Sequence, residues 1–311
     1  MGENMTDLSV VIPFYGDPAD TLNLVNQIQA QEALASVQIV VSDDASPQPF
    51  PEVGGVTTVR RATNGGFGAN VNTGVAAAEG KWILILNSDL TLSSGFIDDM
   101  YKAAEAEYAL AGGKGVVLAP HIVGHEGDSQ WVGRAFPRVR HHAWEWFTPA
   151  ARLRPTRFWH HMVGHNLACI ADNRAEPDWL MGACLMMPRS LYNEVGGMDE
   201  SFFMNSEEVD IQYRLMLQGV PRVFRGDITV AHEGGGSSGD TARRRQWVTN
   251  SRFLYEKKWG HPQKLRVALT AVTHVNYLFN QVRRVRNSAV KPREVRQTEL
   301  STIQTAFQQL S

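Results

Sequence analysis

Leu8-Ser9-Val10-Val11-Ile12-Pro13 is a short, continuous apolar run, rich in Val and Ile and closed by a proline. A run of this kind reads as a strand covered on both faces, as in a parallel sheet. Moving outward from it, residues 21–33 carry Leu22, Val25 and Ile28 at helical spacing. Residues 37–42 are strand-like again, Val56–Arg60 is a further candidate, residues 69–78 look helical, and Trp82–Leu86 is another clear strand. Strands alternating with helices predict right-handed βαβ units and a doubly wound α/β sheet. In such sheets ligands bind beyond the carboxyl ends of the strands, and those ends carry Asp43-Asp44 and Asn87-Ser88-Asp89.

With 43% hydrophobic and 20% charged residues in 311, the composition is that of a globular enzyme rather than a disordered chain. The length suits one catalytic domain with an appendage. A net charge of −2 gives no general attraction for nucleic acid, which is not expected as a partner. Cys169 and Cys184 are too few for a disulfide framework or a zinc cluster and are expected to be buried apolar fillers in a reducing compartment. The first residues lack the pattern of a signal peptide, and no apolar run reaches the roughly 18 residues of a membrane span. The expected location is cytoplasmic, free or peripheral on the cytoplasmic face of the membrane.

Between residues 120 and 177 the pattern loosens, with Trp131, Trp144, Trp146, Trp159 and the pairs His141-His142 and His160-His161. This predicts an insertion of loops and short helices. The histidines lack the spacing and acidic companion of a hydrolytic zinc site and read as surface or acceptor-loop residues. Residues 178–188 return to a core-like pattern, and residues 223–231 suggest a strand pair ending at His232. Beyond residue 260, Leu265, Leu269, Val272, Val275, Phe279 and Val282 recur as on one helix face, and residues 264–296 hold eight basic residues against the acid Glu294. Such a basic amphipathic tail suits either an anionic membrane surface or packing on the catalytic core or a second copy in a homodimer.

Several segments can carry chemistry. A transfer that releases a diphosphate needs its growing charge met, and a carboxylate at a strand end such as Asp89 can hold a divalent cation there. The same position suits an ordinary turn cap. Asp43 and Asp44 can accept from a nucleoside, or simply close a turn. The run from Asn64 to Asn70 holds three glycines that let backbone approach a ligand before a helix starts. Its partial dinucleotide fingerprint fails, because Val71 stands where the third glycine belongs and two strands precede it. Glu207, Glu208, Asp210 and Arg214 open a helical pattern, where acids are favoured by the dipole alone, yet a carboxylate there could remove a hydroxyl proton. His232 precedes the glycine-rich run 234–239, as a metal ligand beneath a mobile lid would.

Taken together these motifs resemble the inverting glycosyltransferase family 2, in its rhamnosyltransferase-like branch. LSVVIPFY at 8–15 looks like the family's opening strand, SDDAS at 42–46 is similar to its acidic nucleotide turn, and NGGFGANVNTG at 64–74 resembles a segment common in that branch. NSD at 87–89 takes the place of D-x-D, and the likeness continues through residues 179–215 and His232.

The resemblance implies a GT-A fold: a Rossmann-like mixed, mostly parallel sheet flanked by helices, with a C-terminal helical extension. Residues 1–260 would form the catalytic domain, with 1–118 the nucleotide-sugar half and 119–260 the acceptor and catalytic half, followed by the tail 261–311. It implies a nucleotide-diphosphate sugar donor, dTDP-L-rhamnose first, with UDP-galactofuranose or another UDP-sugar as the alternative. The acceptor would be a glycan or a polyprenyl-diphosphate-linked sugar. Pro13, Tyr15, Asp43, Asp44, Asn64, Gly66, Phe67, Asn72, Asn87 and Ser88 would line the donor, and Asp89 and His232 would bind Mg²⁺ or Mn²⁺. Glu208 aligns with the family's base, with Glu207 as the second candidate, and Trp179, Gly182, Asp210 and Arg214 fall on the acceptor side. Two departures, Asn87 for the first acid of D-x-D and Glu208 for the usual Asp, leave open a protein that binds nucleotide sugars without transferring them.

Overall fold

The computed structural model describes residues 6–33, 35–232 and 241–310. The chain runs β1 (Leu8–Phe14), α1 (Ala19–Gln29), β2 (Val37–Asp43), β3 (Val56–Arg60), α2 (Phe67–Ala76), β4 (Trp82–Leu86), β5 (Leu90–Leu92), α3 (Phe96–Leu110) and β6 (Val117–Val123). There follow β7 (Gly133–Arg134), α4 (Val139–Trp146), a 3-10 turn (Thr148–Leu153), α5 (Arg157–Met162), β8 (Arg174–Ala175), β9 (Trp179–Leu180) and β10 (Cys184–Pro188). The last elements are α6 (Arg189–Glu194), α7 (Glu207–Leu217), β11 (Arg222–His232), α8 (Thr241–Trp259), α9 (Pro262–Arg286) and α10 (Pro292–Gln308). Two compact units result, residues 1–134 with 168–239, and residues 135–167 with 240–311.

The first unit is built on a mixed, mostly parallel sheet in the order β3-β2-β1-β4-β10-β6-β11-β5, with β8 also on β11. The four strands at the β3 end are parallel, β10 runs against both β4 and β6, and β11 returns parallel to β6. Covered on both faces, β4 is buried at every position, and β1 at all but Pro13. Gly74 lets α2 lie against this layer, since a Cβ there would meet Val11 Cγ1 at 2.5 Å. Cys169 and Cys184 are buried as the sequence led us to expect, and burial pushes the Cys169 thiol up to about 12.

Where a strand pair was expected over residues 223–231, β11 is one long strand whose register against β6 shifts between Arg225 and Thr229. The irregularity has a cause. Gly226 exchanges backbone hydrogen bonds with the 172–173 segment, its N–H donating to Asn173 O and its carbonyl accepting from Asp172 N, both at 2.8 Å. A side chain at Gly226 would strike Ile170 O, so only glycine lets that segment so close.

The second unit is helical, with Trp146, Phe253, Leu265, Leu269, Ile303 and Ala306 as its core. The covered face of α9 differs from the expected one. It runs through Leu265, Leu269, Thr273, Asn276 and Asn280, whereas Val275 and Val282 are exposed. Polar residues belong on the covered face because Trp146 and its neighbour supply partners: Trp146 Nε1 donates to Thr273 Oγ1 and Asn276 Nδ2 to the Trp146 carbonyl, while Asn276 Oδ1 accepts from Thr148 N, each at 2.9 Å. His141 and His142, expected at the surface, are buried on α4, and burial, with Arg252 and His141 nearby, holds His142 well below the usual imidazole range. No helix among the described residues is long and apolar enough to cross a membrane.

Candidate active site

The antiparallel pairing of β11 with β5 sets His232 opposite Leu90, and so brings Asp89, the residue before β5, to the imidazole. Asp89 Oδ1 lies 3.0 Å from His232 Nε2. The other ring nitrogen is held by Gln130. Because the His232 carbonyl can only accept, Gln130 turns Nε2 to it at 2.9 Å, which leaves Oε1 facing Nδ1 at 2.7 Å. Nδ1 therefore donates, and Nε2, when it carries no proton, directs its lone pair toward a carboxylate oxygen. Two acceptors facing each other call for a proton or a cation between them, and a histidine whose second N–H is tied down is the usual form of a metal ligand. No third His, Cys, Asp or Glu completes a cluster among the described residues. One carboxylate and one imidazole therefore fit a cation that takes its remaining ligands from a bound diphosphate and water.

Asn87 and Ser88 close the turn before Asp89. Asn87 donates its backbone N–H to Ala183 O at 2.9 Å, and its side-chain Oδ1 is buried without a partner. Leu86 pairs with Cys184 across β4 and β10. The strand end bearing Asp89 is thus tied to the segment 182–184, and Gly182 abuts Glu208: a Cβ at Gly182 would sit 3.1 Å from the Glu208 Cβ.

Glu207 and Glu208 begin α7 and are both buried, as are Asp210 and Gln212. The backbone just before them is strained, with Asn205 at φ 66 and Ser206 at φ 75, an arrangement that persists where surrounding contacts fix it and that clusters at functional sites. Asn205 Oδ1, Glu207 Oε2 and Glu208 Oε2 are buried acceptors without hydrogen-bond partners. Burial and the Glu208 charge push Glu207 well above the ordinary carboxylate range. Burial raises Glu208 too, opposed by backbone amides at the start of α7 and by the Arg134 guanidinium. Of the pair, Glu208 is the one whose ionised form has a cation in support. Arg134 also lies over the Trp179 ring, 5.3 Å from its centroid.

Gly66 and Gly68 make room for this acid pair. At φ 86 and with Phe203 O only 1.9 Å from the place of a Cβ, Gly66 admits no side chain, and Phe67 N donates to that same carbonyl at 3.1 Å. A Cβ at Gly68 would meet Glu207 Cβ at 3.2 Å. Asp44 fixes the loop by accepting from Gly65 N and Gly66 N, each at 2.9 Å, and pairs with Arg61. Fully buried, Asp43 accepts from Ser46 N at 2.8 Å, Phe50 N at 3.2 Å and Arg60; these donors outweigh burial and hold it below its ordinary value. Pro13 is half-buried on β1, and Tyr15 and Asn64 are exposed.

The remaining sequence candidates hold the scaffold. Asn72 accepts from Tyr192 OH and Met198 N and donates to Met198 O and Glu200, tying α2 to residues 198–200. Asp210 is fully buried against Arg214, which also donates to the Val195 and Gly197 carbonyls. Trp179 is buried on β9, whose next residue Leu180 is bonded at N and O by the Gln212 amide. Gln130 and Arg134 escape the sequence reading, since both lie in the loosely patterned stretch and neither residue type at that spacing signals a role. The glycine-rich run 234–239, expected to act as a lid, lies outside the described residues.

Residues 9–175 match the sequence model of Glycosyl transferase family 2. N-acetylglucosaminyl-diphospho-decaprenol L-rhamnosyltransferase of Mycobacterium tuberculosis is 27% identical over 259 residues, covering 76% of this chain and 79% of that protein. The low-salt glycan biosynthesis hexosyltransferase Agl10 of Haloferax volcanii is 24% identical over 229 residues, 70% of this chain and 64% of its own. Among solved structures, GalNAc-T7 with UDP, GalNAc and Mn²⁺ superposes with a TM-score of 0.56 at 15% identity over 87% of this chain, which spans 51% of that one. The mannosyltransferase PcManGT of Pyrobaculum calidifontis, in complex with GDP-Man and Mn²⁺, gives 0.51 at 13% identity, with 96% and 85% covered. The fold is GT-A, as the order of sequence motifs implied.

Proposed function

The chain belongs to glycosyl transferase family 2, and from that premise we propose that it is an inverting, cation-dependent hexosyltransferase moving L-rhamnose from dTDP-L-rhamnose to a hydroxyl of a lipid-linked or cell-surface glycan. The observation that carries the transferase reading is the buried pair Glu207 and Glu208, with unpartnered oxygens, one glycine away from the strand end that bears Asp89. Glu208 accepts the proton of the acceptor hydroxyl as the new bond forms, and attack from the face opposite the diphosphate inverts the anomeric carbon. Glu207, further from ionisation, is the second candidate. Asp89 and His232 hold the cation; a bound divalent ion supplies the charge that the departing diphosphate requires. An imidazole in the donor set favours Mn²⁺ over Mg²⁺, which is harder and prefers oxygen.

The nucleoside lies over the mouth of β1 and β2, between Pro13, Tyr15 and the loop that Asp43 and Asp44 organise, with Asn64, Gly66, Phe67, Asn87 and Ser88 bordering the donor. Trp179 and Gly182 border the acceptor, while Asn72, Asp210 and Arg214 keep the frame rigid. The mycobacterial relative, named for L-rhamnosyl transfer to a diphospho-decaprenol-linked sugar, supports the donor and the acceptor class. Exposed Val275, Leu278, Val282 and Val285 on α9, with Arg283, Arg284 and Arg286 beside them, support peripheral contact with an anionic, cytoplasmic membrane face.

Thermal melts of the protein with a panel of nucleotide sugars test the donor, because a ligand that binds only the folded state raises its stability by mass action. A larger shift with dTDP-L-rhamnose than with UDP-sugars, dependent on Mn²⁺ and lost in Asp89→Asn, is expected. A preference for a UDP-sugar would replace the rhamnose assignment and leave the transferase reading in place.

A further inference from the structure

The second unit contains a cavity of about 450 Å³ that none of the residues discussed above as catalytic or donor-binding lines. That volume falls within the roughly 300–1,000 Å³ of small-ligand sites. Its walls carry four guanidinium groups, Arg154, Arg244, Arg245 and Arg252, against two carboxylates, Glu145 and Glu299. The carboxylates are each committed to one arginine: Glu145 to Arg252 at 2.5 Å and Glu299 to Arg245 at 3.2 Å. Arg245 is further fixed over the Trp146 ring, 4.3 Å from its centroid. Arg154 rests 5.6 Å from the Trp159 ring centroid, and neither it nor Arg244 has a carboxylate partner among the described residues.

A concave wall with this much uncompensated positive charge concentrates anions. Guanidinium forks held in place by a carboxylate or a ring bind phosphate oxygens with little further loss of freedom. We propose that this cavity binds a diphosphate group, with Arg154 and Arg244 supplying the unpaired charge and Arg245 and Arg252 presenting fixed N–H donors. The diphosphate comes either from a soluble molecule or from the head group of a lipid. The site is independent of the transferase assignment: it lies in the other unit and requires no metal.

Titrating inorganic pyrophosphate into the full chain in EDTA tests it, since chelation keeps the Asp89 and His232 site out of the signal. Saturable binding is expected, weakened roughly tenfold by Arg154→Ala and by Arg244→Ala, the loss anticipated for one charge-assisted hydrogen bond. Arg157→Ala, which removes an exposed cation of the same unit that does not line the cavity, should leave it unchanged. Both cavity arginines are exposed and outside the unit's core, so their replacement leaves the fold intact. Absence of saturable binding, or binding that the two cavity variants do not weaken, overturns the proposal. A second arm fixes the source, by flotation with phosphatidylcholine vesicles with or without farnesyl diphosphate. Flotation only with the diphosphate lipid, lost in both variants, supports a lipid head group; pyrophosphate binding without flotation supports a soluble diphosphate.

Discussion

Two glutamates side by side at the start of a buried helix are costly. Burial disfavours both charges and each charge disfavours the other, so Glu207 ionises only well above the ordinary carboxylate range. A folded-state value raised above that of the unfolded chain means the carboxyl is stabilising while protonated, at acid pH, and costs stability as pH rises toward and through the folded value. Glu207→Gln should therefore raise the melting temperature at neutral pH, with the gain fading as pH falls to the ordinary glutamate range near 4.3. Melts across pH would check this; a gain of equal size at acid pH would remove the electrostatic explanation. The same physics sets the acid limb of turnover: as Glu208 too is raised, activity should decline with falling pH above the usual carboxylate range. A base that must lose and regain a proton at neutral pH gains from such a site, and the protein bears the instability.

At the scale of elements, the loop 64–68 and the start of α7 behave as one piece. Gly66→Ala would force a Cβ onto the Phe203 carbonyl in a left-handed backbone, which should destabilise the fold by about 1–3 kcal/mol and reduce turnover by displacing Glu207 and Glu208. Gly54→Ala, where an added Cβ meets nothing within 4 Å, is the matched control and should change little; equal effects at both positions would contradict the coupling. The glycines were legible in the sequence as points of close approach, but the partner was not: Gly66 and Gly68 admit Phe203 and Glu207, more than a hundred residues away in the chain. Strands β1, β2 and β4 were readable because burial on both faces leaves a mostly apolar run, unbroken in β4. The covered face of α9 was not, because Thr273 and Asn276 are buried for hydrogen bonds with residues 146 and 148, Asn280 is buried on the same face, and a pattern of apolar spacing passes over them. Gln130, which fixes the His232 tautomer, stands in a stretch with no periodicity at all.

At the scale of the molecule, the GT-A sheet positions two stations: Asp89 and His232, the proposed cation ligands, at the ends of the paired strands β5 and β11, and the acid pair, reached through Ala183 and Gly182 from β4 and β10. Departing diphosphate and arriving hydroxyl need such separate stations on opposite sides of one sugar carbon. The motif 87–89 retains half of the usual acidic pair, and in the proposed site His232, on the adjacent strand β11, is the second ligand. The most direct test of this account compares wild type with Glu208→Gln for nucleoside-diphosphate release from the nucleotide sugar in Mn²⁺, with the donor's Kd measured on both. Loss of a positioned base should slow release by roughly 10²–10⁴-fold while the Kd stays the same. Release at the wild-type rate by Glu208→Gln would contradict it.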